Sequence, residues 1–150
     1  MIRWMAWQLE LGHDPLVRSL ASMRARVAMH EEDLARLRES GGWPGMGVLP
    51  FRVLHRGSRW SVTEIRDPQE LLAEGRELGH CIFSYRDRLQ RGESAVFSLR
   101  RDGRRHGTIE VRPSRRWVSE AKGRANAVLV GHAAQVLHLW ALARRITVTT

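Results

Sequence analysis

The sequence predicts an α+β layer structure: an antiparallel sheet of about five strands with helices packed on it, and a long N-terminal helix ahead of the sheet. Three observations carry this expectation. Apolar residues first recur at steps of three and four, then alternate with polar ones through two later stretches, and return to helical spacing near the end. Glycine and proline clusters separate these regimes. The hydrophobic content of 43% and charged content of 27% over 150 residues belong to a folded domain with a core of its own, so wholesale disorder is set aside.

The elements follow in order. Asp14-Pro15 reads as an N-cap with proline at the first helical position. Leu16, Leu20, Met23, Val27, His30, Leu34 and Leu37 then fall on one helical seam, which predicts an amphipathic helix over 15–39. Such a heptad seam packs on the protein's own sheet, or on a second copy or partner helix. The stretch Ser40 to Gly47 holds four glycines and a proline, so 1–47 is expected to form a helical arm with a Gly-rich loop and 48–150 the core.

Leu49 to His55 and Arg59 to Ile65 alternate around Arg56-Gly57-Ser58 as a hairpin would. Asp67-Pro68 starts a helix through Leu78, and a second runs from Ile82 to Leu89, stopping at Gly92. Ala95 to Arg100 and Gly107 to Arg112 read as strands joined by a turn at Arg101 to Arg104, with a third strand at Arg116 to Ala121. Val128 to Ile146 closes the chain as a helix, with Asn126 a candidate cap.

The formal charge is +9, and 24 of the 25 basic residues are arginine, Lys122 being the exception. A GC-rich genome would account for the choice of arginine over lysine; it would not account for the sign. Excess positive charge attracts polyanions, so nucleic acid or a nucleoprotein complex is the partner class to expect. Arg100, Arg101, Arg104, Arg105, Arg112, Arg115 and Arg116 crowd into seventeen residues at strand turns, where guanidinium forks suit phosphates, and Lys122 adds a compact ammonium. A solvated rim is the plainer reading of the same arginines. One cysteine forms no internal disulfide, and no apolar run is long enough to span a bilayer, which points to a cytoplasmic protein with no membrane partner.

The order of residues also resembles a known family. Glu74-Gly75, Leu78-Gly79-His80-Cys81, Ser84-Tyr85, Gly92-Glu93, Phe97-Ser98-Leu99-Arg100, Thr108-Ile109-Glu110, and Gly123 with Asn126 are similar to the PcfJ-like proteins, over roughly Trp60 to Trp140. That family is scattered over plasmids, phages and other mobile elements, and it brings no firm reaction. Glu120 stands where the family usually has glutamine, and an ionised carboxylate cannot donate the hydrogen bond an amide can.

Six residues are candidates for chemistry: His80, Cys81, Tyr85, Glu110, Lys122 and Asn126. His80 and Cys81 are neighbours whose side chains diverge, so they are not a dyad with each other. If Gly79 ends one helix and Cys81 starts the next, free N–H groups lower the thiol pKa; a small buried hydrophobe is the alternative. Thr108 with Glu110, and Ser98 with Arg100, share faces of adjacent strands, which predicts a polar patch on the sheet. Glu110 among apolar neighbours calls for an arginine partner, or for a general-base or metal-ligand role. A His/Glu/Asn set is chemically able to bind Mg or Mn, but no spacing is a metal signature, and the sequence leaves the cofactor open. The sequence thus predicts a mobile-element or prophage accessory protein that binds nucleic acid. The alternative is a small hydrolase or phosphodiester-processing enzyme built on those six residues.

Overall fold

Alternation becomes a sheet wherever both faces find something to cover them. A computed structural model describes residues 42–80 and 83–149, without the side chains at 83, 84 and 86. The order is β1 (Phe51–His55), β2 (Ser58–Ile65), α1 (Pro68–Leu78), α2 (Phe83–Gln90), β3 (Ala95–Arg101), β4 (Arg104–Arg112), β5 (Trp117–Gly123), a 3-10 turn (Arg124–Asn126), α3 (Gly131–Ala143) and β6 (Thr147–Val148). The six strands form one sheet in sequence order. The first five pair antiparallel and β6 runs parallel to β5. The predicted seam over 15–39 and Cys81 lie outside the described residues.

One face of the sheet is apolar. Trp60, Val62, Phe97, Leu99, Ile109, Val111 and Val118 pack against Ala133, Val136, Leu137, Trp140 and Ala141 of α3. The ring centroids of Phe97 and Trp140 lie 4.8 Å apart. The opposite face lies under α1 and α2, where Ile65 and Val96 meet Leu71, Tyr85 and Leu89. β3 sits between these layers, so five of its residues in a row are buried.

Local signals fix the boundaries. Asp67 caps α1 by accepting from the Gln69 N–H at 3.0 Å, with Pro68 at the first position. Gly79 ends it with φ 71, a left-handed conformation that a residue with a Cβ resists. The Gly-rich stretch lies against the sheet: Trp43 Nε1 donates to the Ile65 carbonyl at 3.0 Å, and the N–H groups of Met46 and Gly47 donate to the Glu64 carboxylate.

Two expectations need correction. The sheet has six strands, because the chain leaving α3 buries Ile146 and lays Thr147 beside β5, its N–H donating to the Arg116 carbonyl at 2.8 Å. A two-residue strand is too short to show alternation. The last helix starts at Gly131, three residues later than expected, and Asn126 does not cap it. Val128 bridges Lys122, and Leu129 lies against Gly107 and Gly123, so the backbone stays extended until Val130. No helix among the described residues is long and apolar enough to cross a membrane.

Candidate functional site

The face beneath α1 and α2 carries the polar patch that the strand spacing predicts. Ser98 pairs with Thr108 and Val96 with Glu110, while on the other side of β4 Thr108 pairs with Lys122 and Glu110 with Glu120. Paired residues point to the same side of a sheet. Between Val118 and Glu120 the register shifts and Ser119 is the extra residue of a bulge. Its hydroxyl thereby reaches Glu110, donating to Oε1 at 2.8 Å.

Glu110 is 3% exposed and fully engaged. Ser94 donates at 2.9 Å and Arg88 approaches the same Oε2 with Nε at 3.0 Å and Nη2 at 2.9 Å. Burial works to raise this carboxyl, but the hydrogen bonds from Ser119, Ser94 and Arg88 outweigh it and hold it below the ordinary range. An arginine partner was one of the alternatives the sequence left open for Glu110, and Arg88 of α2 supplies it. Sequence reasoning had no means of naming it among so many arginines.

A second buried carboxylate, Glu74, sits on α1 over the same face. It accepts from Ser98 and Thr108 at 2.7 Å each and from Arg105 Nη1 at 2.8 Å. Arg105 also reaches Glu70 at 3.0 Å and Glu77 at 3.3 Å, and Arg100 reaches Glu70 at 3.2 Å. Glu70, Glu74 and Glu77 recur at steps of four and three, one face of α1. Burial pushes the Glu74 carboxyl up, against the pull of Thr108, Arg105 and Ser98. The acidic spacing was a signal in the sequence, and Glu74 belongs to the first motif quoted above, yet its role as a clasp was missed.

The third group lies where the junction of α1 and α2 meets the end of β5. His80 Nδ1 is 3.0 Å from Asn126 Oδ1. Since the amide oxygen only accepts, that contact places the proton on Nδ1 and leaves the lone pair on Nε2. His80 Nε2 is buried and has no hydrogen-bond partner among the described residues. Burial lowers the ring pKa, and Lys122 adds to this while Asn126 and Glu120 oppose it. Lys122 Nζ holds Glu120 at 2.8 Å, and the Tyr85 hydroxyl makes a long 3.5 Å contact to the other oxygen. Burial, reinforced by Glu120 and Glu110, pushes the phenol well above its usual value. Asn126 takes φ 63, a left-handed conformation that asparagine tolerates better than most residues.

The five candidates within the described residues therefore divide, Cys81 lying outside them. His80, Asn126, Tyr85 and Lys122 gather in this group with Glu120 at its centre; Glu110 stands beside it in its own cluster, turned to Arg88. Among the described residues no group of three His, Cys, Asp or Glu side chains is arranged to hold a metal ion.

The arginines do not form one patch. The β3–β4 turn and the β4–β5 turn lie at opposite ends of the nine-residue β4. At roughly 3.3 Å per residue they are about 30 Å apart. Arg100 and Arg105 are occupied by α1. Arg101 lies over the Trp60 ring, its Nε donating to Ser58 at 3.0 Å. Arg116 donates to the Arg144 and Arg145 carbonyls. Arg104 and Arg115 are exposed and make no ion pair among the described residues; Arg112 is half-buried.

A protein-family model, the PcfJ-like protein, matches residues 7–137. This chain belongs to that family. No curated protein and no solved structure matches it. The PcfJ-like match begins well before Trp60, so residues 7–59, which the quoted motifs left outside, fall within the family's extent. Every quoted PcfJ-like motif lies inside it, including the Glu74, His80, Glu110 and Asn126 positions that build the three clusters.

Proposed function

We propose that this PcfJ-like protein is an accessory protein of a mobile element or prophage that holds nucleic acid, or a nucleoprotein complex, by its phosphates. Family membership supports the setting. The observation that carries the binding reading is the placement of charge at one end of the sheet. There the β1–β2 and β3–β4 turns lie side by side: the Asp102 N–H donates to the Arg59 carbonyl, and the Asp102 carboxylate accepts from the Arg59 N–H at 2.8 Å. The side chains of Arg56, Arg59 and Arg104 stand exposed on these joined tips with no ion pair among the described residues. Residues 42–149 carry 19 basic against 10 acidic side chains, so the entire excess of nine lies in this core. A phosphate backbone docked on the tips meets three exposed guanidiniums, with Arg101 behind them.

The test is a charge reversal at each end. Arg56→Glu with Arg104→Glu is expected to weaken binding of any nucleic acid about tenfold or more, because contacts to phosphate are sequence-independent. Arg115→Glu, at the far end, is expected to leave it nearly unchanged. Equal losses from both ends would reject the assigned surface.

A second reading, a small hydrolase or phosphodiester-processing enzyme, draws on a separate observation: the buried, unpartnered Nε2 of His80, whose tautomer Asn126 selects. A neutral imidazole is the form a general base requires. Loss of turnover in His80→Ala with nucleic-acid retention unchanged supports this reading.

A further inference from the structure

His55 closes the edge strand β1, and His132 and Gln135 stand three residues apart in the first turns of α3, so strand end and helix bring three side chains together. The two imidazole rings meet edge-on, with centroids 5.7 Å apart and planes at 71°. Their nitrogens converge on one atom: His55 Nε2 lies 2.7 Å and His132 Nδ1 3.4 Å from Gln135 Oε1. Both contacts are exposed, so the point where they meet is open to solvent. Hydrogen bonds among exposed groups contribute little to folding, because water serves each group nearly as well. As ligands the three are better placed. Two ligands of one tetrahedral zinc, bound at about 2.0–2.1 Å, stand about 3.3 Å apart, and the two nitrogen-to-oxygen distances bracket that value. An exposed glutamine makes the remaining adjustment by rotation about its own bonds.

We propose that His55, His132 and Gln135 form a surface site for a borderline divalent transition metal, zinc fitting it best, with two imidazole nitrogens and an amide oxygen as ligands and the remaining position open to solvent. The set is neutral and holds only two His, so it differs from a group of three His, Cys, Asp or Glu. Its surroundings decide the class of ion. Arg56 follows His55 directly and α3 presents its N-terminus, and both oppose a cation held by charge alone. Magnesium and calcium are held that way, by carboxylate and water oxygens, whereas zinc, copper and nickel are held by donation from imidazole. Gln135 Oε1 only accepts, so its hydrogen bonds put each ring's proton on the facing nitrogen; metal binding uses the other tautomer, with the protons on His55 Nδ1 and His132 Nε2. The β1–β2 turn starts at the next residue, so a bound ion adds its charge to that end of the sheet. The inference stands apart from both functional readings.

The test titrates zinc chloride into the full chain, read by calorimetry and by the imidazole signals in NMR. Zinc is expected to shift the His55 and His132 rings saturably and to leave His138, exposed on the same helix, in place. It is also expected to raise the melting temperature, because the ligands meet only where β1 and α3 are both in position. His132→Ala, at an exposed position, is expected to weaken binding about tenfold or more, and Gln135→Glu, which supplies a charged oxygen, to tighten it about tenfold. Three side chains that merely hydrogen-bond have no reason to respond in this way. Magnesium at the same concentration is expected to move neither ring. Zinc that shifts neither ring, or that binds wild type and His132→Ala equally, sits elsewhere in the chain and overturns the site. Weaker binding by Gln135→Glu overturns the three-ligand set.

Discussion

Glu110 and Glu74 are two buried carboxylates on the same face of the sheet, and their environments drive them in opposite directions. Glu110 gains more from Ser119, Ser94 and Arg88 than burial costs it, so its folded pKa lies below the unfolded value near 4.5. Its contribution to stability is present above that value and is lost as pH falls through the folded pKa. The stability difference between the wild type and Glu110→Gln, followed by urea denaturation, is therefore expected to be flat above about pH 5 and to shrink below it. For Glu74 the arginine partner decides the outcome. Glu74→Ala leaves the Arg105 side chain, 11% exposed, without its innermost counter-charge, and is expected to cost about 3–5 kcal/mol in the same measurement. Gly107 has a different constraint: a Cβ there would meet Leu129 at 2.9 Å and the Lys122 carbonyl at 3.1 Å. Gly107→Ala is expected to lose about 1–3 kcal/mol, more than Gly123→Ala, where the nearest atom is at 3.4 Å.

The elements differ in how much of them local rules settle. α1 is complete in the sequence: Asp67, Pro68, an acidic face, and Gly79 to stop it. Removing the cap with Asp67→Ala is expected to lower stability by about 1 kcal/mol, visible as a lower melting temperature. The two hairpins are equally legible, because alternation and a glycine-containing turn leave little choice of register. α3 was predicted too early and β6 was not predicted. The residues from Ala127 to Val130 are as apolar as a helix start would be, and only the bridge from Val128 to Lys122 and the seat of Leu129 on two glycines hold them extended. Contacts of this kind join positions far apart in the chain, so no window of local sequence contains them.

At the scale of the whole molecule, the charge excess falls within residues 42–149, and among the described residues Arg56, Arg59 and Arg104 at one sheet end and Arg115 at the other are exposed without an ion pair. Meander connectivity sends successive turns to opposite ends, which separates arginines that are adjacent in the sequence. It also brings Arg56 and Arg59 beside Arg104. If three or four phosphates are neutralised there, the logarithm of the binding constant for duplex DNA is expected to fall with the logarithm of salt at a slope of about 3, near 0.9 per contact. A titration between low and physiological salt measures it, and a slope near zero would mean that the tips are a solvated rim. Reversing Arg56 is expected to reduce that slope by about one.

The sequence by itself determined the α+β class, the two hairpins, α1, the family, and the polar faces of β3 and β4, because each depends on periodicity or on the fixed order of a few residues. It also named four of the side chains that gather near the end of β5. Tertiary structure decided which arginine neutralises Glu110, which arginines pair with the acidic face of α1, and which nitrogen of His80 has no hydrogen-bond partner among the described residues. Those outcomes depend on which atoms lie within about 3 Å of one another, the reach of a hydrogen bond. With 24 arginines available, chemical type is no guide to the partner, and the crossing of helices over the sheet makes the selection.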